Sequence, residues 1–266
     1  MPVEATSSED PMWVEVATGH PAYAGELFES LTGIAQACGP DEDGTWPIHG
    51  PGNAVIGRIR PLAGQSPGRV LPVFPVPDVA ASLATARDLG GSVHPAASMA
   101  GNAVHEIHDP DGHAFAITAD QARAEGPPST WPPGGLFAEL VVEDLSQVEA
   151  FYAPVLAVTV AVIKIPLLPA GMSQPASGYR MLVRGKTVVA GAIESSFFLL
   201  GDSALSWLVY LEVPDIDKAV VTAVELGCRV LEPPGLSPQG RYAVIEDPDH
   251  LPWGLGVTVE IPEASG

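Results

Sequence analysis

Glu15 lies in WVEVAT and Glu139 in LFAELVV, each two residues after an aromatic side chain, Trp13 and Phe137. Both segments are rich in β-branched and aromatic residues, as strands are, and successive side chains of a strand point to opposite faces. Each carboxylate therefore shares a face with its aromatic neighbour. A carboxyl group against apolar walls loses hydration, and its pKa rises. Such a group can take and return a proton in an isomerase, lyase or cyclase step beside a carbonyl, with no metal ion required. The alternative is structural: a glutamate at the surface, or one that pairs with an arginine or backbone amides to hold parts of the chain together.

Other polar candidates are His49, His105, His113, Tyr179 and Arg180, each with a structural or surface role as its alternative. His105 and His108 stand three apart in a strand-like segment, so they face opposite sides and make no metal pair. Cys38 and Cys228 fall in different halves and unlike contexts, against a disulfide framework or a zinc site. PGNAVIG lacks the lysine and the spacing of a phosphate loop, and no Ser/His/Asp or Cys/His constellation stands out.

The elements that must position these residues repeat. FPVPDVAASLATARDLGGSVHP (74–95) and LEVPDIDKAVVTAVELGCRVLEP (211–233) align at a constant separation of 137 residues, Pro77 with Pro214 and Asp78 with Asp215. Each reads as strand, Pro-Asp, helix, Gly, strand. Asp78 and Asp215 are predicted N-caps, and apolar residues follow at helical spacing; Gly90 and Gly227 end the helices. The turns HDPDGHAFAI (108–117) and EDPDHLPWGL (246–255) follow at nearly the same separation. Two further helix starts, after Trp13 and after Phe137 with Asp144 as N-cap, complete four modules at 10–62, 68–120, 135–198 and 204–260. The Pro- and Gly-rich segment around 121–134 reads as a linker between domains 1–120 and 135–266.

The chain carries 32 acidic and 12 basic residues, a net charge of −20, and the basic ones are scattered. A nucleic-acid partner, which needs a basic face, is not expected; the charge implies a solvated surface or attraction of a cationic ligand. No apolar run approaches the ~20 residues of a membrane span, and MPVEATSSEDPMW lacks the features of a secretory signal. A cytoplasmic protein, monomer or homodimer, is expected.

The order of motifs EL…ED…FYAPVL, GYRMLVRGKTVVAG, SWLVYLEVPDIDKAV, LGCRVLEPP and GRYAVIEDPD resembles the vicinal oxygen chelate superfamily, which includes glyoxalase I, bleomycin-resistance proteins and extradiol dioxygenases. Similarity extends over nearly the whole chain and is greatest to two-domain actinobacterial glyoxalase-like proteins. The resemblance implies an α+β fold in which four βαβββ modules pair into two glyoxalase-like domains, their curved mixed sheets enclosing cavities. In metal-dependent members the ligands sit on the first and last strand of each module. Transferred by motif, those positions are Trp13, Leu71, Phe137 and Leu208 on first strands, and Gly57, Ala116, Gly191 and Gly254 on last strands. None has a metal-binding side chain, so neither metal nor another cofactor is expected.

What remains is a cavity expected to be lined by Trp13, Phe137, Phe115, Trp253, Trp207, Tyr210, Tyr179 and His113, with Glu15 and Glu139 as its acids. The alternative for the aromatics is core packing. Two functional classes follow. One is metal-independent binding of a hydrophobic, cationic or aromatic specialised metabolite or antibiotic, as in biosynthesis or resistance. The other is a metal-independent tailoring enzyme acting on a polyketide-like or carbonyl substrate. An accessory protein that hands substrate to an oxygenase is a third option.

Overall fold

The computed structural model describes residues 12–37, 39–42, 44–62, 67–94, 97–99, 102–119, 135–163, 178–185, 187–195, 206–237 and 240–258. The linker expected at 121–134 lies outside them. In the first repeat, β1 (Trp13–Thr18) leads into α1 (Pro21–Thr32), β2 (Trp46–His49) and β3 (Val55–Pro61). The second has β4 (Arg69–Val76), α2 (Val79–Asp88), β5 (Ser92–Val93), β6 (Ala97–Met99), β7 (Asn102–His108) and β8 (Ala114–Ala119). In the third, β9 (Leu136–Val142) is followed by a π-helical turn (Val148–Tyr152) running into α3 (Ala153–Leu156), then β10 (Thr159–Ile163), β11 (Tyr179–Arg184) and β12 (Thr187–Glu194). The fourth comprises β13 (Trp207–Glu212), α4 (Ile216–Glu225), β14 (Arg229–Ser237), β15 (Gly240–Glu246) and β16 (Pro252–Thr258).

Local chemistry accounts for the helix ends. Asp78 accepts from the Ala81 N–H at 2.9 Å and Asp215 from the Lys218 N–H at 3.1 Å, each satisfying a donor that the first helical turn leaves open. Gly90 and Gly227 follow at φ of 86° and 93°, where a side chain would be strained. Asp144 behaves differently. It closes a small turn on Ser146 through both its N–H and its hydroxyl, and the chain beyond it winds as a π-turn.

Two mixed sheets result, each of eight strands. The first runs β2-β3-β1-β4-β8-β7-β5 with β6 on β7, and the second β10-β11-β12-β9-β13-β16-β15-β14. At the centre of each, two first strands lie antiparallel, β1 on β4 and β9 on β13. Each then pairs in parallel with a last strand: β3, β8, β12 or β16. Among the described residues the first repeat has two strands after its helix rather than three.

The sheets turn their helix-bearing faces to one another. Helix α1 packs on α4 and α2 on α3, and one hydrophobic core takes in Val14, Val16 and Phe74 from the first sheet with Ala138, Leu140 and Trp207 from the second. The Phe74 and Trp207 rings meet at 5.1 Å. Burying aromatics of this size contributes on the order of 2–3 kcal/mol each.

Each of the two Asp-Pro-Asp turns ties its sheet to elements of the other half. Asp109, in the β7–β8 turn, accepts from the Tyr152 hydroxyl at 2.8 Å and meets His113 Nδ1 at 2.8 Å. Asp249, in the β15–β16 turn, accepts from the Thr18 hydroxyl and contacts His20 Nδ1 at 2.7 Å. Tyr23 of α1 adds a hydrogen bond to the Leu226 carbonyl at 3.0 Å. Burial would raise the Asp109 pKa, but hydrogen bonds from His113 and Tyr152 outweigh it and hold the carboxyl below its usual range. The hydrogen bond to Asp109 raises that of His113 against the opposing effect of burial.

Loss of the Tyr152 hydroxyl in Tyr152→Phe is expected to cost about 1–3 kcal/mol in urea unfolding. The His113 contribution is complete below the unfolded imidazole value of about 6.5 and fades as pH rises through the raised folded value; that of Asp109 is lost as pH falls through its lowered one. The stability difference between wild type and His113→Ala should therefore be larger at pH 5.5 than at pH 9, measured by the same unfolding curves.

Candidate functional site

The faces of the sheets turned away from the shared core hold Trp13, Glu15, Phe137, Glu139, Tyr179 and Tyr210 of the expected site residues. On the second sheet, Met181, Gly191, Glu139 and Leu208 stand in register across β11, β12, β9 and β13. A second row, Phe137, Tyr210, Gly254 and Val244, crosses β9, β13, β16 and β15. With Val141, Tyr179, Ile193 and Tyr242 these side chains form a hydrophobic cluster separate from the main core. Glu139 is buried among them, 5% exposed.

Its carboxyl has phenolic company. The Tyr210 hydroxyl donates to Oε2 at 3.0 Å, and the Tyr179 hydroxyl, wholly buried, faces the same group without reaching hydrogen-bond geometry. Desolvation raises the Glu139 pKa to about 7, with the tyrosine hydroxyls restraining the rise. Both tyrosines are pushed well above the ordinary phenol value, first by burial and then by the neighbouring carboxylate. Near neutral pH the group therefore combines a carboxyl that exchanges a proton with hydroxyls that keep theirs.

On the first sheet the equivalent acid has a different fate. Glu15, also 5% exposed, receives Arg60 Nε at 2.5 Å. Arg58 reaches Thr45 at 2.6 Å and Asp41 at 3.3 Å, and Arg69 and His108 meet on Glu106. Trp13 is half-buried here, against a small apolar patch of Leu71, Val73, Val104 and Ala116. Glu15 thus stands as a charge-paired residue and Glu139 as a desolvated one.

Three of the aromatic residues expected in a cavity lie on the opposite face. Phe115, Trp253 and Trp207 are fully or nearly buried in the shared core, Trp253 edge-on to Phe28 at 4.9 Å. Each adjoins a residue of the outward face, Ala116, Gly254 and Leu208, and strand alternation sends neighbours to opposite sides. His113 is engaged with Asp109 in the β7–β8 turn. Gly57 also requires correction. It pairs with Val14, and a Cβ there would meet Val14 and Ile48 in the core; Arg58, beside Glu15, takes the outward position. A shift of one residue exchanges the faces of a strand. Trp13, Phe137, Tyr179 and Tyr210 do lie on the outward faces. Tyr242, absent from the expected set, joins them; its signal was the alternation of Tyr242 and Val244 along GRYAVIE.

The architecture has known counterparts. Aligned with the Mn(II)-bound glyoxalase from Novosphingobium aromaticivorans, the chain gives a TM-score of 0.60 at 14% identity, over 96% of its own length and 84% of that protein. The chain has the vicinal oxygen chelate fold. Among curated proteins, CFP32 of Mycobacterium bovis (strain ATCC BAA-935 / AF2122/97), named for a glyoxylase, is 27% identical over 248 residues, 90% of each chain. The anthracycline biosynthesis protein DauV of Streptomyces sp. (strain C5) is 33% identical over 158 residues, 59% of this chain and 52% of that protein. The match thus spans about half the length of DauV. No protein-family model matches.

A divalent ion does not fit the side chains at the first- and last-strand positions that the sequence resemblance marks for ligands. In the second sheet they are Phe137, Leu208, Gly191 and Gly254, and neighbours fill the space a ligand side chain would need. A Cβ at Gly191 would fall 1.8 Å from the Tyr179 hydroxyl, and one at Gly254 would fall 2.3 Å from the Tyr210 ring. Elsewhere among the described residues, Asp109, Asp111 and His113 bring potential ligand atoms within metal-binding reach. The Asp109 oxygens are already engaged, Oδ1 by the Asp111 and His113 N–H groups and Oδ2 by His113 and Tyr152.

Because Glu139 binds its proton more tightly folded than unfolded, stability should fall as pH rises from about 4.5 to about 7, by roughly 3 kcal/mol. Glu139→Gln is expected to remove that slope, measured by urea unfolding at pH 4.5, 6 and 8 and compared with wild type.

Proposed function

We propose that this protein binds a flat aromatic small molecule bearing hydroxyl or carbonyl groups on the outward face of its second sheet, without a metal ion. The observation that carries this reading is the Glu139–Tyr210 hydrogen bond inside an apolar, tyrosine-rich cluster, beside the strand positions that the sequence resemblance marks for a metal ligand. Phe137, Tyr179, Tyr210 and Tyr242 supply stacking area, and the carboxyl and phenols supply few but directional polar contacts, the usual composition of a small-molecule site. The relationship to a protein named for anthracycline biosynthesis supports a polycyclic aromatic of polyketide type as the ligand class.

The cluster is closed in this structure, with Met181, Val188 and Leu231 partly buried at its border. Binding therefore displaces side chains, and association is slower than for an open cleft. A second reading rests on the near-neutral carboxyl itself. Glu139 is poised to remove a proton from carbon next to a ligand carbonyl while the Tyr179 hydroxyl, which has no hydrogen-bond partner, donates to the carbonyl oxygen, the arrangement of a metal-independent isomerase or cyclase.

Titration with an anthracycline, followed by quenching of intrinsic fluorescence, tests the binding. Protein treated with chelator and dialysed should bind as well as untreated protein. Tyr210→Phe should weaken binding about tenfold, consistent with one lost polar contact. Affinity that depends on stoichiometric metal would overturn the proposal. Chemical change of a bound carbonyl substrate, lost in Glu139→Gln with affinity retained, would establish the catalytic reading.

A further inference from the structure

The two sheets present four edges, and three of them carry devices against a further strand. Strand β2 is four residues long with Pro47 inside it. Strands β5 and β6 run to two and three residues, and β14 holds Pro233 and Pro234 and breaks its register twice against β15. The fourth edge, β10, has none of these. Its sequence TVAVI is uncharged and rich in β-branched residues, and it pairs with β11 without a register shift. Among the described residues no strand lies on its other side.

What suits that edge follows from its surroundings. Alternate residues of a strand share a face; Val160 packs against the shared core, whereas Val162 on the same side is 57% exposed. In an antiparallel pair every second residue turns its N–H and C=O away from the partner strand, so β10 offers backbone donors and acceptors together with uncovered apolar surface. Charge is concentrated here too. The sequence from Thr159 to Ile193 holds Lys164, Arg180, Arg184 and Lys186, four of the chain's 12 basic residues, and no acidic one. Arg180 stands opposite Val162 on β11 and meets the exposed Glu149 at 3.3 Å. Arg184, next to the partner of Thr159, donates to the Pro75 and Leu156 carbonyls at 2.8 and 2.9 Å. An arginine thus stands by each end of an apolar strand. A second copy of the chain fits poorly. Antiparallel pairing of two such strands sets the Arg180 end of one against the Arg184 end of the other, like charge against like.

We propose that the β10 edge is a docking surface for an extended segment of a partner protein, apolar in its centre and acidic at both ends, which adds as a further strand to the second sheet. Main-chain hydrogen bonds supply affinity, and the flanking charges select the sequence. Ala161 lies in register with Met181 at the border of the tyrosine cluster, so the partner would sit one strand away from that cluster. The docking does not depend on what the cluster binds.

The full-length chain, labelled with nitrogen-15, is titrated with the acetylated peptide DEVTVTVED and followed by NMR. Saturable amide shifts are expected in Thr159–Ile163 and Tyr179–Arg184, with β2 and β14 unmoved. Affinity should fall as salt is raised. Val162→Glu, at an exposed position, should weaken the peptide about tenfold. Two control peptides need no variant: KKVTVTVKK, with reversed charge, and the fully N-methylated acidic peptide, which has no backbone donors, should both fail to bind. Equal binding of either control, or no saturable shift at millimolar acidic peptide, would overturn the proposal. So would a doubling of mass with shifts in β10 when the protein alone is concentrated, which would assign the edge to a second copy.

Discussion

Strand alternation against a shared core is the constraint on which the molecule depends. The two sheets bury their helix-bearing faces in one hydrophobic core, so every second residue of each central strand must be apolar and well packed. Val14 and Val16 on β1, with Ala138 and Leu140 on β9, meet that demand at essentially no exposure. The intervening positions escape it. Trp13, Glu15, Phe137 and Glu139 occupy them, and their chemistry is free to differ between the halves because the fold is already secured on the other side.

That freedom explains how one position yields two kinds of carboxylate. Beside Glu15 the neighbouring last strand supplies arginines, and Arg60 neutralises the acid. Beside Glu139 the corresponding strand supplies Gly191, and the missing side chain admits the Tyr179 hydroxyl to the volume above it. Glu139, among phenols and aliphatics, holds its proton to about pH 7 because burial strips its hydration. Gly254 does the same for the Tyr210 ring. The glycines at expected ligand positions thus open space that tyrosines fill, and the anticipated vacancy is an aromatic cluster.

The Asp-Pro-Asp turns show a related economy. Each is a local device, with the first aspartate binding N–H groups of its own turn, and each also reaches across to the other sheet, through Asp109 to Tyr152 and through Asp249 to Thr18 and His20. Turn formation and sheet docking therefore share residues, which couples the order of each half to the presence of its neighbour.

Much of this was legible in the residues. The repeated Pro-Asp caps, the glycine helix stops, the four repeats and the mixed α+β architecture rest on near-neighbour chemistry, which a sequence records directly. So does the pairing of each glutamate with its aromatic neighbour on one face, since that needs only period-two alternation. The same rule, applied strictly, places Phe115, Trp253 and Trp207 on the core side, and they belong there. What tertiary structure alone decided was register between strands distant in the chain. Whether Gly57 or Arg58 stands beside Glu15, whether Tyr179 reaches over Gly191, and which acid is paired and which desolvated all depend on alignments across the sheet. A shift of one residue would turn the apolar side of a strand out of the core, but a shift of two keeps the faces and changes every cross-strand neighbour, so these partners are not recorded in local sequence.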